Sequence, residues 1–137
     1  MAKEAKDPDL STIPAAYKAQ LSHYLQFIRL EKGLSAHSVQ SYEHDLKRYF
    51  QFLVHHATIH DIAGVTMTPI ESFFHYLIDE SLLSSSSLAR NISSIRGFHE
   101  FAVVENFSHA NPTELIELPK KAKKLPDVLD PFEVSAL

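Results

Sequence analysis

Three groups of residues have types and spacings that could do chemistry. His55, His56 and His60 bring three imidazoles into a short stretch. A zinc site needs ligands that converge from one face, with a carboxylate, thiolate or water completing the set. The i, i+1, i+5 spacing does not put three rings on one helix face, and no cysteine occurs anywhere in the chain. The stretch reads as a polar loop rather than a metal site. The second group is Ser86, Ser87, Arg90, Ser93, Ser94 and Arg96, with Gly97 beside them and no acid among them. Hydroxyls and helix N-terminal amides bind phosphate oxygens, and arginine clamps phosphate or reads guanine. Small residues at this spacing also let two helices pack closely, and both readings stand at this level. The third group is Lys120, Lys121, Lys123 and Lys124, bounded by Pro119 and Pro126. Such a strap cannot be regular helix throughout and reads as a semi-extended linker. Beside a nucleic acid it would gain free energy by releasing counterions.

Other chemistries find no residues. There is no Gly-rich phosphate loop, no paired-carboxylate motif and no thiol. The five tyrosines, Tyr17, Tyr24, Tyr42, Tyr49 and Tyr76, fall on apolar helical stripes and read as core. No catalytic set, metal or cofactor is expected within these 137 residues.

Composition bounds the class. The length suits one domain with a modest core, and 45% apolar with 22% charged residues is ordinary for a globular protein. The first residues are polar and mixed in charge, unlike a signal peptide, and no apolar run approaches the roughly 20 residues of a membrane span. The absence of cysteine fits a reducing compartment, and a cytoplasmic location is expected. The net charge of −4 opposes nucleic-acid binding, and residues 1–118 alone carry nine basic against fourteen acidic residues. Any such binding by this chain should therefore be weak and salt-sensitive.

With only three glycines and no sustained two-residue alternation, the chain reads as all-α. Residues 1–13 read as a loosely packed arm. A first helix is predicted over about 14–32, with Tyr17, Leu21, Tyr24, Leu25 and Ile28 inward and Gly33 as its stop. Ser35 caps a second helix with an inward stripe of Val39, Tyr42, Leu46, Tyr49, Phe50 and Leu53. Its polar side carries His37, Ser41, His44, Lys47, Arg48 and Gln51. A third helix is predicted to start with Thr68 as cap, Pro69 at the first position and Glu71 at the third. Glu71, Asp79 and Glu80 give it an acidic face unsuited to phosphate. Ser84 to Ser87 cap a fourth helix reaching about Val104, with Leu88, Ile92, Ile95, Phe98 and Ala102 inward. A short fifth helix is predicted from Asn111 to Leu118. Asp130-Pro131-Phe132-Glu133 then opens a helix with only one turn before Leu137. The expectation is a chain cut at the entrance to a second domain.

In order and spacing these pieces resemble the N-terminal, core-binding domain of tyrosine recombinases, especially the XerC/XerD group. The resemblance rests on Glu31-Lys32-Gly33-Leu34-Ser35 with Ser38, Tyr42 and Asp45-Leu46, and on the stretch from Ser87 to Phe98. It continues through Asn111-Pro112, Leu118-Pro119-Lys120 and Leu125-Pro126-Asp127-Val128-Leu129 with Glu133-Val134, covering roughly residues 17–137. It implies a SAM-like bundle of four long helices plus a short fifth over 14–118, a linker over 119–129 and the first turn of a catalytic domain over 130–137. It further implies that the second and fourth helices face the major groove of duplex DNA. The DNA-binding candidates are then His37, Ser38, Ser41, His44 and Lys47, followed by Ser86, Ser87, Arg90, Ser93, Ser94 and Arg96. Lys120, Lys121, Lys123 and Lys124 would lie along the duplex in the linker.

Family chemistry passes through a covalent phosphotyrosyl bond and a basic set housed in the C-terminal domain. This chain has no His-x-x-Arg and no tyrosine after Tyr76, so strand cleavage is not expected of it. Implied partners are a recombination site and other recombinase protomers on that DNA, with a monomer in its absence. A helical protein-interaction domain without DNA binding is the alternative, and a histidine-based enzyme a weaker third. On the surface reading of Arg90, truncation to alanine should weaken DNA binding without lowering stability.

Overall fold

Ser35 and Ser84 open helices as their contexts predict. Each has extended backbone, and each side-chain oxygen accepts the amide three residues on, Ser38 at 3.1 Å and Ser87 at 3.2 Å. The architecture comes from a computed structural model, which describes residues 13–79 and 83–116. Four helices follow in order: α1 Ala15–Leu30, α2 Ala36–His56, α3 Met67–Asp79 and α4 Ser85–Val104, with a 3₁₀ turn at Ile62–Gly64 before α3. No strand occurs among the described residues. α2 packs mainly on α4 and α1, so it is the central element and its stripe is the core.

The inward stripes lie close to expectation. Tyr17, Leu21, Tyr24 and Ile28 of α1, Leu46, Tyr49, Phe50 and Leu53 of α2, and Leu88, Ile92, Ile95, Phe98 and Ala102 of α4 are all buried, and α3 adds Ile70, Phe73, Phe74 and Leu77 to the same core. Aromatic contacts hold the layers. Tyr17 stacks on Phe50 at 4.6 Å, and Phe98 sets its edge to Phe50 at 5.1 Å and to Tyr24 at 5.6 Å. The Tyr17 hydroxyl donates to the Ile59 carbonyl at 2.9 Å, tying α1 to the chain leaving α2. Of the five tyrosines, Tyr17, Tyr24 and Tyr49 are buried, and Tyr42 and Tyr76 are half-buried against the same core.

Helix ends follow local chemistry. Gly33 takes the left-handed conformation at φ 69°, and the Leu34 amide reaches back to Ile28. α4 ends in a Schellman arrangement: Asn106 sits at φ 65°, its amide bonds Val103, and the Phe107 amide bonds Ala102 at 2.8 Å.

Some expectations shift. α3 begins at Met67, so Thr68 is not its cap and Pro69 sits third in the helix. Proline is tolerated there because first-turn amides have no intrahelical acceptor. Ile13, assigned to the arm, is 5% exposed and joins the core. Asn111 does not launch a regular helix among the described residues. Its side-chain oxygen accepts from the Thr113 amide at 2.9 Å and the Thr113 hydroxyl at 2.6 Å, and residues 112–115 are turns. An Asn oxygen engaged two residues on offers the backbone a local alternative to the helix. The rest of the predicted fifth helix, the lysine strap and the single turn at Asp130 lie outside the described residues, as do residues 1–12.

Candidate nucleic-acid interface

One ion pair spans the crossing of α2 and α4. Arg90 donates from Nε to Asp45 Oδ2 at 2.7 Å and from Nη2 to Asp45 Oδ1 at 2.9 Å. Asp45 is fully buried, whereas about a third of the Arg90 side chain is exposed. A bidentate charge-assisted pair of this kind is strong and directional. It also answers an obligation, because an unpaired buried carboxylate is costly. The hydrogen bond to Asp45 raises Arg90 above the usual arginine range, keeping it fully charged.

This pair changes the reading of Arg90. Its truncation would strand Asp45 in the core, so the stability-neutral expectation for Arg90→Ala does not hold. Asp45 was read from sequence only as part of the resemblance. The usable signal was an acid beside Leu46 on the core stripe, a place where carboxylates occur only when paired.

Around the pair, two polar stripes meet. At helical spacing, Ser38 and Ser41 share the Asp45 side of α2, and Ser86 and Ser93 share the Arg90 side of α4. His37, Ser86 and Ser93 are exposed, while Ser38, Ser41 and Ser87 are half-buried. Ser35 donates its hydroxyl to Ser38 Oγ at 3.1 Å. Exposed His44 sits at one flank and receives Arg48 Nη2 on its Nε2 at 3.3 Å. Arg48, left off the candidate set, lies one turn beyond His44 and Asp45 at the end of the α2 stripe. Its Nε is buried without a partner.

Three candidates leave this surface. Ser94 is fully buried and donates to the Asn91 carbonyl at 3.0 Å, within its own helix. Arg96 points elsewhere and donates to the Ile116 carbonyl at 3.1 Å, pinning the segment that follows α4. Lys47 lies on the far side of α2, paired with Glu43 at 2.7 Å, in a groove with Lys18, Leu21 and Leu25 of α1. Lys120, Lys121, Lys123 and Lys124 are outside the described residues.

Gly97 is small for a packing reason. A Cβ there would collide with the Tyr24 hydroxyl. The close-packing reading therefore accounts for Gly97 and Ser94, while Ser86, Arg90 and Ser93 stay accessible. Beyond Ser93 the surface carries exposed acids. A groove of about 380 Å³ starts at Ser93 and runs between Phe27, Tyr42, Phe101 and Val104, with Glu100, Glu105 and Lys32 on its wall. Inside the bundle, Tyr49 and His99 pair at 2.7 Å between hydroxyl and Nε2. Burial lowers the His99 pKa to about 3, so the ring is neutral and the phenol donates to it. His99 was not singled out in the sequence, since a lone histidine in a helix carries no pattern.

Among the described residues, no group of three or more His, Cys, Asp or Glu could hold a metal ion, and no helix is long and apolar enough to cross a membrane. What fold and surface define is a small α-helical domain with a serine- and arginine-bearing crossing of its second and fourth helices. Residues 21–106 match the phage integrase N-terminal SAM-like domain, and the chain belongs to that family. It is 43% identical over 117 residues to the tyrosine recombinase XerD of Staphylococcus aureus and 46% identical over 117 residues to that of Staphylococcus saprophyticus. Each alignment covers 85% of this chain and 39% of the relative, so the chain spans about two-fifths of the length of these proteins. No solved structure gives a significant match. The chain is thus an N-terminal domain homologous to that of XerD-type tyrosine recombinases.

Proposed function

We propose that this domain binds duplex DNA through the α2–α4 crossing, as the DNA-binding part of a site-specific recombinase. The observation that carries this reading is the crossing itself. Ser38 and Ser41 share the Asp45 side of α2 near His37; Ser86 and Ser93 share the Arg90 side of α4; and the carboxylate that joins the two helices, Asp45, is buried and paired. Phosphate oxygens would find hydroxyls and amides at the α2 and α4 N-termini, beside a guanidinium held by Asp45, with exposed Glu100 in the groove that begins at Ser93. Glu71 and Asp79 lie on α3, which carries none of these strip residues.

Strand cleavage and rejoining, integration or resolution of DNA multimers would belong to the whole recombinase, in a cytoplasmic setting and with other protomers on the same DNA. This chain alone would serve as a monomeric reader. Lys120, Lys121, Lys123 and Lys124 would add a sequence-independent term.

The test is fluorescence anisotropy with a labelled duplex across a salt series. The expected result is binding at low salt that falls steeply with salt and is weakened by Ser86→Glu and Ser93→Glu, both at exposed positions. Neutralising the four lysines should flatten the salt slope equally for all sequences. Binding indifferent to both serine charges, or no binding at low salt, would sink the assignment and leave the protein-interaction reading.

A further inference from the structure

Arginine carries five N–H donors in a planar fork. In this domain Asp45 occupies the side-on edge, taking Nε and one hydrogen of Nη2. Nη1 has no hydrogen-bond partner among the described residues, and the end-on edge, formed by Nη1 and the second Nη2 hydrogen, is left for a ligand. The carboxylate that holds the group is fully buried and belongs to a different helix. The guanidinium is therefore fixed in direction by the bundle rather than by its own flexible stem. It is also electrically compensated, since the pair as a whole carries no net charge.

A compensated, immobile arginine is poorly suited to clamping phosphate, where net charge drives affinity through counterion release. It is well suited to a target with two acceptors in a plane. Guanine presents O6 and N7 in the major groove, the commonest bidentate target of arginine. We propose that Asp45 is a positioning residue that makes Arg90 a reader of guanine rather than a phosphate contact. This rests on the DNA-binding reading above and deepens it. Arg90 would supply discrimination and little affinity. The neighbouring Ser86 and Ser93, uncharged and exposed, would supply backbone contacts that set the docking register.

The inference predicts opposite signs for two properties on one substitution. Asp45→Asn keeps the side-chain shape and one acceptor, but releases a net positive charge and loosens the guanidinium. Binding to random duplex should then tighten, with the salt slope steeper by roughly 0.9 for one added phosphate contact. Base preference should fall at the same time. Arg90→Lys keeps the charge next to Asp45 and removes the fork, so it should lose preference with little change in slope.

The experiment is selection of this chain and both variants from a library of randomised duplexes at low salt, with anisotropy salt series and thermal melts alongside. The unmodified chain should enrich guanine at a defined position by about five- to 150-fold, the range of one bidentate contact. Both variants should reduce that enrichment below about twofold while still melting cooperatively. If Asp45→Asn retains the guanine preference, or if it weakens random and selected duplexes alike, the pair is only a packing device and the inference fails. Should Asp45→Asn not fold, Arg90→Lys decides, because an unchanged base preference with lysine contradicts a fork-based reading. An unmodified chain that binds without any guanine preference overturns the inference alone; one that binds no duplex overturns it together with the DNA-binding reading.

Discussion

Mild acid should destabilise this domain through one buried histidine. His99 is fully buried, and loss of solvent lowers its pKa from 6.5 to about 3. A base whose folded pKa lies below its unfolded value binds protons more readily when unfolded. Its contribution is complete above pH 6.5 and is lost as pH falls toward 3. Between pH 7.5 and pH 5 the loss is about 2 kcal/mol, from 1.36 kcal/mol per unit over the interval below 6.5. That is a large part of the ~5–15 kcal/mol typical of a small domain. Urea unfolding at both pH values reads it directly. With a slope of ~1–1.5 kcal/mol/M for a domain this small, the midpoint should move down by about 1–2 M. His99→Gln removes the titration and should show a smaller pH dependence, even though it starts less stable through the lost Tyr49 partner at 2.7 Å. Parallel pH profiles for the two proteins would refute the reasoning and place the acid sensitivity elsewhere.

Other consequences follow from single contacts. Arg90→Ala should cost about 2–3 kcal/mol in urea unfolding, below the ~3–5 of a fully buried pair because water reaches the arginine side; Asp45→Asn in the same background should restore most of it. Gly97→Ala should destabilise by about 1–2 kcal/mol through overpacking on Tyr24, despite better helix propensity. In a Tyr24→Phe background, where the colliding oxygen is gone, the same substitution should become neutral or stabilising. Ser84→Ala should lower stability by about 1 kcal/mol through the lost bond to the Ser87 amide. Thr58 holds φ 57° as a β-branched residue, so Thr58→Asn should raise the melting temperature.

Helix order and core faces were legible because the 3.6-residue pattern is strong in every helix and serine caps announce two of them. Boundaries set by compensating chemistry were not. Pro69 looks like a first-position proline, and only the fold reveals a helix already under way at Met67. Asn111 looks like a cap and instead closes a local turn on Thr113. The surface strip was half legible. Residue types marked α2 and α4, but a one-dimensional stripe does not tell which serine is buried, and of the adjacent Ser93 and Ser94 only Ser93 is exposed. Long-range pairs were the blind spot. Asp45 and Arg90 are 45 positions apart, and nothing local links them. The same holds for Tyr49 with His99, and for Arg96 with Ile116.

The central claim is that DNA sits on the α2–α4 crossing. Amide chemical-shift mapping of the chain against a short duplex at low salt tests it most directly. Shifts are expected at His37, Ser38 and Ser41 and at Ser86, Arg90 and Ser93, fading as salt is raised. Shifts concentrated instead around Glu100, Val104 and Glu105, or none at all, would contradict it.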